Sequence, residues 1–406
     1  MHILILAPYA PYPPHGGGTM RIYQIVRGLA QHHTVTCLTF AADTATEAAL
    51  APLHTICRVL VVRGPATRST LRRALDTGLS PLPDMAHRNA SPAYTAALHA
   101  LLAAERVDVV LAESIEMAPY LDLVRVAQPN ARIALDEFNA EYLLQQRAAS
   151  IAVRTGLRAR AAVGAVYSLA QAAKLAAFER GALRRADTVF VVSDADRTAL
   201  QRVSGRSDLV VAPNGVDTTY FDRTRVIPLT YAAPTLVFSG TLDYRPNVDA
   251  LTWFAGEPLA RLRAVRPDLL LLAVGKRPAP AIQALAARGV LQITGEVADT
   301  RNFLAGGAVY LVPMRIGGGV RLKLLEALSM ALPVVSTTLG AEGIAGLRDG
   351  EHCLLADDPA GMATAVLRLL DDPVLAARLG AAGRALVVAH YDWRTIVPIM
   401  ARALAG

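Results

Sequence analysis

Arg321, Lys323 and Glu326 follow directly on Gly317-Gly318-Gly319. Two cations and a carboxylate this close together can hold a highly charged anion and accept hydroxyl groups from the same ligand. The glycines leave bare backbone that a ligand can approach closely. The N–H groups at a helix start add further donors for an anion. A helix N-terminus already carries partial positive charge and ordinarily prefers acids. Placing Arg321 and Lys323 there breaks the local rule, as functional sites do. A diphosphate reconciles the cations with the exposed N–H groups. A solvated basic turn with an i,i+3 Lys323–Glu326 pair is the reading the residues alone leave open beside it.

These residues need a strand before them and a helix behind them. Ala308 to Val312 is apolar enough for a buried parallel strand. Leu322, Leu325, Leu328 and Ala331 recur at helical spacing. The chain opens in the same way. His2 to Ala7 reads as a buried strand, Pro8 to Gly18 as a turn-rich loop ending in three glycines, and a helix is expected from an N-cap at Thr19. Strand, glycine loop and helix begin a nucleotide-binding α/β domain, although Gly-x-Gly-x-x-Gly is absent.

Further apolar runs recur at α/β spacing: Thr34 to Phe40, Ile56 to Val62, Val107 to Ala112, Ala131 to Leu135, Thr188 to Val192 and Leu209 to Ala212. Helical segments between most of them predict a parallel sheet with helices on both faces. Ligand-facing residues then collect at strand carboxyl ends, where Glu113-Ser114, Asp136-Glu137-Phe138-Asn139, Ser193-Asp194 and Pro213-Asn214-Gly215 stand. Ordinary capping accounts for Ser, Asp and Asn at such points equally well. After a polar, proline-containing connection near Tyr220 to Pro234 the pattern restarts. Leu236 to Phe238, Leu269 to Val274, Val290 to Thr294, Ala308 to Val312, Pro333 to Ser336 and Cys353 to Ala356 form the second set of strands. The predicted class is α/β: two Rossmann-like domains facing a cleft, residues 1–220 and 221–390. A terminal segment, residues 391–406, returns as a helix to the first domain.

A chain of 406 residues, 53% hydrophobic and 18% charged, is globular and large enough for two or three domains. No run reaches the ~18 uncharged apolar residues of a membrane span. Met1-His2-Ile3-Leu4 lacks a cationic leader, so no signal peptide is expected. Three scattered cysteines, Cys37, Cys57 and Cys353, argue against a disulfide framework and for a reducing compartment. The net charge is +7, and Arg147 to Arg185 alone holds eight cations against the single acid Glu179. No aromatic interleaving accompanies them, so nucleic acid is not expected. Two readings stay open: an anionic membrane surface, because apolar residues separate the cations, and a solvated helical face.

Two Rossmann-like domains, the N-terminal glycine loop, Pro213-Asn214-Gly215-Val216-Asp217 and the turn from Gly317 to Glu326 together resemble glycosyltransferase family 4. That family has the GT-B fold and comprises retaining enzymes that use nucleotide sugars. The resemblance runs from Ile3 to Trp393, and its most specific block is Gly317 to Leu328 continued by Pro333-Val334-Val335-Ser336-Thr337. It implies a nucleotide-sugar donor, a sugar or lipid-linked acceptor, no cofactor and no metal. The few scattered cysteines fit a cytoplasmic location, which extends to the inner face of the membrane if the basic segment binds there.

Glu326 matches the second glutamate of the family's Glu-x7-Glu motif, which holds the donor ribose; the first falls on Gly318. The implied catalytic set is Arg321, Lys323 and Glu326, the two cations standing in for an Arg and Lys found elsewhere in the family. Gly17, Gly18, Gly240 and Arg245 are assigned to the donor's diphosphate region. Gly295, Glu296 and Val297 flank the base, and Gly318, Gly319 and Val320 lie near the sugar. Glu113, Asn139 and Glu141 are placed on the acceptor side, where Phe138 replaces a histidine of the family. Gly318 and Phe138 motivate a rival reading, an inactive sugar-nucleotide-binding scaffold. A nicotinamide oxidoreductase, suggested by Asp43, comes third because its fingerprint is missing.

Overall fold

A computed structural model describes residues 1–14, 16–65, 67–146, 159–317 and 319–406. The chain divides into two compact units, Met1–Asn214 with Ile396–Gly406, and Gly215–Thr395.

The first unit is built on a seven-stranded sheet of order β3-β2-β1-β4-β5-β6-β7, parallel throughout. Its strands are β1 (His2–Ala7), β2 (Thr34–Ala41), β3 (Arg58–Arg63), β4 (Val109–Glu113), β5 (Arg132–Glu137), β6 (Thr188–Val191) and β7 (Val210–Val211). Ile3, Leu4, Ile5 and Leu6 are wholly buried, as a central parallel strand covered on both faces requires. From β1 the chain runs outward through β2 and β3, then returns to lay β4 on the other side. The strand order therefore reverses between β1 and β4, where α/β sheets open a ligand-binding crevice. Residues 396–406 complete this unit. The Arg132 guanidinium donates to the Ala403 carbonyl at 3.0 Å, and Val397 packs so tightly on Gly28 that a Cβ there would lie 2.8 Å away.

The second unit repeats the plan with the order β10-β9-β8-β11-β12-β13. Its strands are β8 (Thr235–Ser239), β9 (Leu270–Val274), β10 (Gln292–Ile293), β11 (Val309–Val312), β12 (Val334–Ser336) and β13 (Leu354–Leu355). All its pairings are parallel, and the order reverses between β8 and β11. Tyr310 is buried in β11 and its hydroxyl lies 2.6 Å from Ser239 Oγ, tying the ends of these two strands. The glycine turn leaves β11 on this side.

One boundary differs from expectation. The first helix spans Gly17–Leu29 and is capped by Gly16, not by Thr19. Thr19 instead sits at the third helical position, where its hydroxyl accepts the Gly16 N–H at 2.9 Å. The reciprocal half of a capping box thus comes from a threonine, and Gly17 and Gly18 form the first helical turn. No helix among the described residues is long and apolar enough to cross a membrane.

Candidate functional site

In the second unit the helix Leu322–Ser329 starts from Arg321, whose extended backbone occupies the cap position. Lys323 is therefore in the first turn, and Glu326 lies one turn further on the same face. Lys323 does not pair with Glu326. Its ammonium donates to Asn247 Oδ1 at 2.8 Å and lies 4.0 Å from the Phe238 ring centroid. Asn247 in turn donates to the Thr241 carbonyl at 2.8 Å, fixing the turn after β8. Gly240 belongs to that turn, with φ +142°, and a Cβ there would lie 2.8 Å from Asn247 Nδ2 and 2.9 Å from Lys323 Nζ. Glycine at 240 thus keeps open the space in front of the ammonium. Gly275, at the end of β9 with φ +159°, passes so close to the Gly240 carbonyl that no side chain fits.

Electrostatics mark the same spot. Burial pulls the Lys323 ammonium down to about 7, the nearby Glu326 opposing and Arg321 adding to the shift. Burial pushes the Glu326 carboxyl up to about 7 against the pull of Lys323. Arg321 is likewise lowered by burial, with Tyr244 and Glu342 acting the other way. Two cations held in a poorly solvated place, with Lys323 bonded to the neutral Asn247 amide, form a site that an anion would relieve.

The other donor-side residues are distributed around it. Arg245 is exposed at the first residue of the helix Arg245–Phe254, which also carries Asn247. Gly295, with φ +75°, bridges Gly275, and Glu296 accepts from Lys276 Nζ at 2.8 Å beside half-buried Val297. Gly319 has φ +75°, as a tight glycine turn needs, and Val320 is half-buried. Gly318 lies outside the described residues.

In the first unit, Gly18 packs on Tyr9 and on the Phe138 ring, where a Cβ would overlap the Tyr9 hydroxyl and come within 3.3 Å of Phe138. Gly17 is exposed beside it. Glu113, buried at the end of β4, is pushed well above the usual carboxylate range by burial and then by Asp136. Asn139 donates to Glu141 Oε1 at 3.2 Å, and burial raises the Glu141 carboxyl. The single Asp-x-Asp triplet of the sequence, Asp194-Ala195-Asp196, is taken up in a helix start. Asp194 pairs with Arg197 at 2.5 Å, and Asp196 is bonded to Ser193 and to the Ala140 N–H at 3.0 Å. Among the described residues no three His, Cys, Asp or Glu side chains converge to hold a metal ion.

Several further residues hold these sites together without a motif of their own. Arg21 is 1% exposed and grips Asp136 through two bonds of 2.6 and 2.7 Å. The same guanidinium donates to the Pro213 carbonyl and Asn214 Oδ1, both at 3.2 Å. An arginine on the inward face of an amphipathic helix was the available signal, since buried charge must be paired. Asn247 and Phe238, which hold Lys323, gave none. Tyr220 lies under the Arg301 guanidinium at 3.6 Å, and the charge of Glu326 is felt at its hydroxyl.

Comparison with known proteins bears on the family and the fold. Residues 16–215 match the "Glycosyl transferase 4-like domain" model, and residues 233–372 match the "Glycosyl transferases group 1" model. Phosphatidyl-myo-inositol mannosyltransferase of Mycobacterium leprae is 32% identical over 216 residues, 50% of this chain and 55% of that protein. The GDP-mannose-dependent monoacylated alpha-(1-6)-phosphatidylinositol monomannoside mannosyltransferase of Corynebacterium glutamicum is 27% identical over 201 residues, 45% of this chain and 52% of that protein. The chain thus spans about half the length of the curated relatives it matches. Among solved structures, sucrose-phosphate synthase from Thermosynechococcus elongatus aligns over 99% of this chain and 98% of its own, with a TM-score of 0.68 at 19% identity. Anabaena HepE in complex with UDP aligns over 100% of both chains, with a TM-score of 0.64 at 16% identity. These likenesses establish the fold. Two parallel α/β units, each matched by a glycosyltransferase model, identify the chain as a GT-B glycosyltransferase of the family 4 type.

Proposed function

We propose that this protein is a retaining glycosyltransferase that moves a sugar from a nucleotide diphosphate donor to an acceptor hydroxyl in glycolipid or polysaccharide assembly. The observation that carries the reading is the half-buried Lys323 facing Gly240 at the carboxyl ends of β8 and β11, with Arg321 before it and Glu326 a turn behind. As the glycosidic bond breaks, the leaving diphosphate gains negative charge. Lys323 and Arg321 stabilise that charge in a place where water screens it poorly. Glu326, one turn behind Lys323 on the same helix face, accepts the vicinal ribose hydroxyls. The acceptor oxygen bonds to the anomeric carbon on the face the diphosphate leaves, and its proton passes to the departing phosphate oxygen. No protein carboxylate is assigned as nucleophile, and no metal is invoked.

Glu113, Asn139 and Glu141 belong to the acceptor side. A membrane-borne acceptor is supported by the cationic sequence from Arg147 to Arg185, of which Arg147, Arg154 and Arg158 lie outside the described residues. It is supported also by exposed Leu75, Leu79 and Leu82. Among the described cations, Lys174, Arg180 and Arg185 bond to Ser80, Val203 and Asp122, so they contribute through their field and not as free side chains. The proposed location is the cytoplasmic face of a membrane.

The test is donor binding and turnover against a panel of nucleotide sugars. Thermal stabilisation by one donor is expected, with loss of at least tenfold in affinity in Arg321→Ala and Lys323→Ala. Unchanged affinity and donor hydrolysis in both variants would overturn the diphosphate assignment. Binding without transfer or hydrolysis would favour the inactive scaffold.

A further inference from the structure

Position 318 holds glycine where the family resemblance places a carboxylate, yet the second unit carries another carboxylate to the same turn. β12 ends at Ser336, and the loop that follows is pinned to the end of β11. Thr337 N–H and Ser336 Oγ both donate to the Val312 carbonyl at 3.2 Å, and Thr337 Oγ1 donates to the Met314 carbonyl at 2.5 Å. Gly340 lies so close to this seam that a Cβ would fall 2.5 Å from the Val312 carbonyl oxygen. Three residues on, Gly343 adopts φ +86°, and a Cβ there would stand 3.1 Å from Val320 Cγ2 and 3.3 Å from Val320 N. The loop backbone is therefore laid against the backbone of the glycine turn. Glu342 sits between these two close approaches, half-buried, with its Oε2 enclosed by protein. Its charge is felt at the Arg321 guanidinium.

A carboxylate at this place works against the phosphates, because it offsets part of the guanidinium charge and repels an anionic ligand. Its placement makes chemical sense for the uncharged part of the donor. A sugar ring offers hydroxyl donors, and a carboxylate oxygen accepts them. We propose that Glu342 reads the hydroxyls of the donor sugar, delivered to the glycine turn by the loop after β12 in place of a carboxylate at position 318. This rests on the assignment of the turn to a nucleotide-sugar donor.

The experiment is calorimetric titration of the full wild-type chain, Glu342→Gln and Glu342→Ala with UDP, UDP-glucose, GDP and GDP-mannose. For the pair that the wild-type chain binds, Glu342→Gln is expected to weaken the nucleotide sugar about tenfold or more, the loss of a charge-assisted hydrogen bond. The bare diphosphate is expected to keep its affinity or gain some. Losing affinity for both ligands by the same factor, as a merely structural role predicts, overturns the proposal. So does unchanged nucleotide-sugar affinity in both variants. Absence of binding of all four nucleotides to the wild-type chain overturns the donor-site reading itself, and this assignment with it.

Discussion

Donor binding should be linked to the protonation of Lys323, and the linkage can be worked out from the site. Burial brings this ammonium to about 7 in the protein alone, so at pH 8 roughly nine-tenths of molecules hold a neutral amine there. A diphosphate beside it restores the charged form, so binding above pH 7 must take up a proton. With a bound value back near that of an ordinary lysine, affinity falls about 50-fold between pH 7 and pH 9. Glu326 also titrates near 7, and its ionisation over the same interval offsets at most about a factor of two. The assay is calorimetric titration of nucleoside diphosphate at pH 7, 8 and 9, each in two buffers of different ionisation enthalpy. The wild-type chain should take up about 0.9 proton at pH 8. Lys323→Gln should bind weakly, with affinity independent of pH and no proton taken up. Wild-type affinity that stays within about threefold across that range, or a Lys323→Gln variant that keeps the wild-type slope, would exclude the linkage to Lys323.

Two further outcomes are expected. Gly18→Ala drives a methyl group into the Tyr9 hydroxyl, and should lower transfer activity by about tenfold, a cost of roughly 1.4 kcal/mol. Tyr9→Phe in the same chain should recover most of it, and a double variant no better than Gly18→Ala alone would contradict the packing argument. Vesicles containing anionic lipid should sediment the protein at low salt and release it at high salt. Equal binding to neutral vesicles would contradict an electrostatic surface.

What could be read from residue order was the part of the molecule governed by local physics. Buried parallel strands are continuous apolar runs, so β1 and β8, buried along nearly their whole length, announced themselves most plainly. The charges on the glycine turn were legible because they violate the preference of a helix start. The partners of those charges were not. Asn247 reaches Lys323 across 76 positions of sequence, and Arg21 reaches Asp136 across 115. Such pairings are set by the order in which strands lie side by side, which hydrophobic periodicity does not encode. The start of the first helix was misplaced for a smaller reason. Glycines at its first turn have weak helical preference by themselves, and the Thr19 hydroxyl bonded to Gly16 holds them there.

The return of residues 396–406 to the first unit has a consequence for synthesis. β1 is translated long before Ile396–Gly406, yet those later residues pack on the face of the unit at Gly28 and Arg132. At about 5–20 residues per second, the roughly 190 residues after Asn214 take some 10–40 s to appear. For that time the nascent first unit leaves unsatisfied the surface that Val397 will fill. It is a natural point of attention for chaperones, and a stop codon before Ile396 would damage the first unit although most of it is translated before the second.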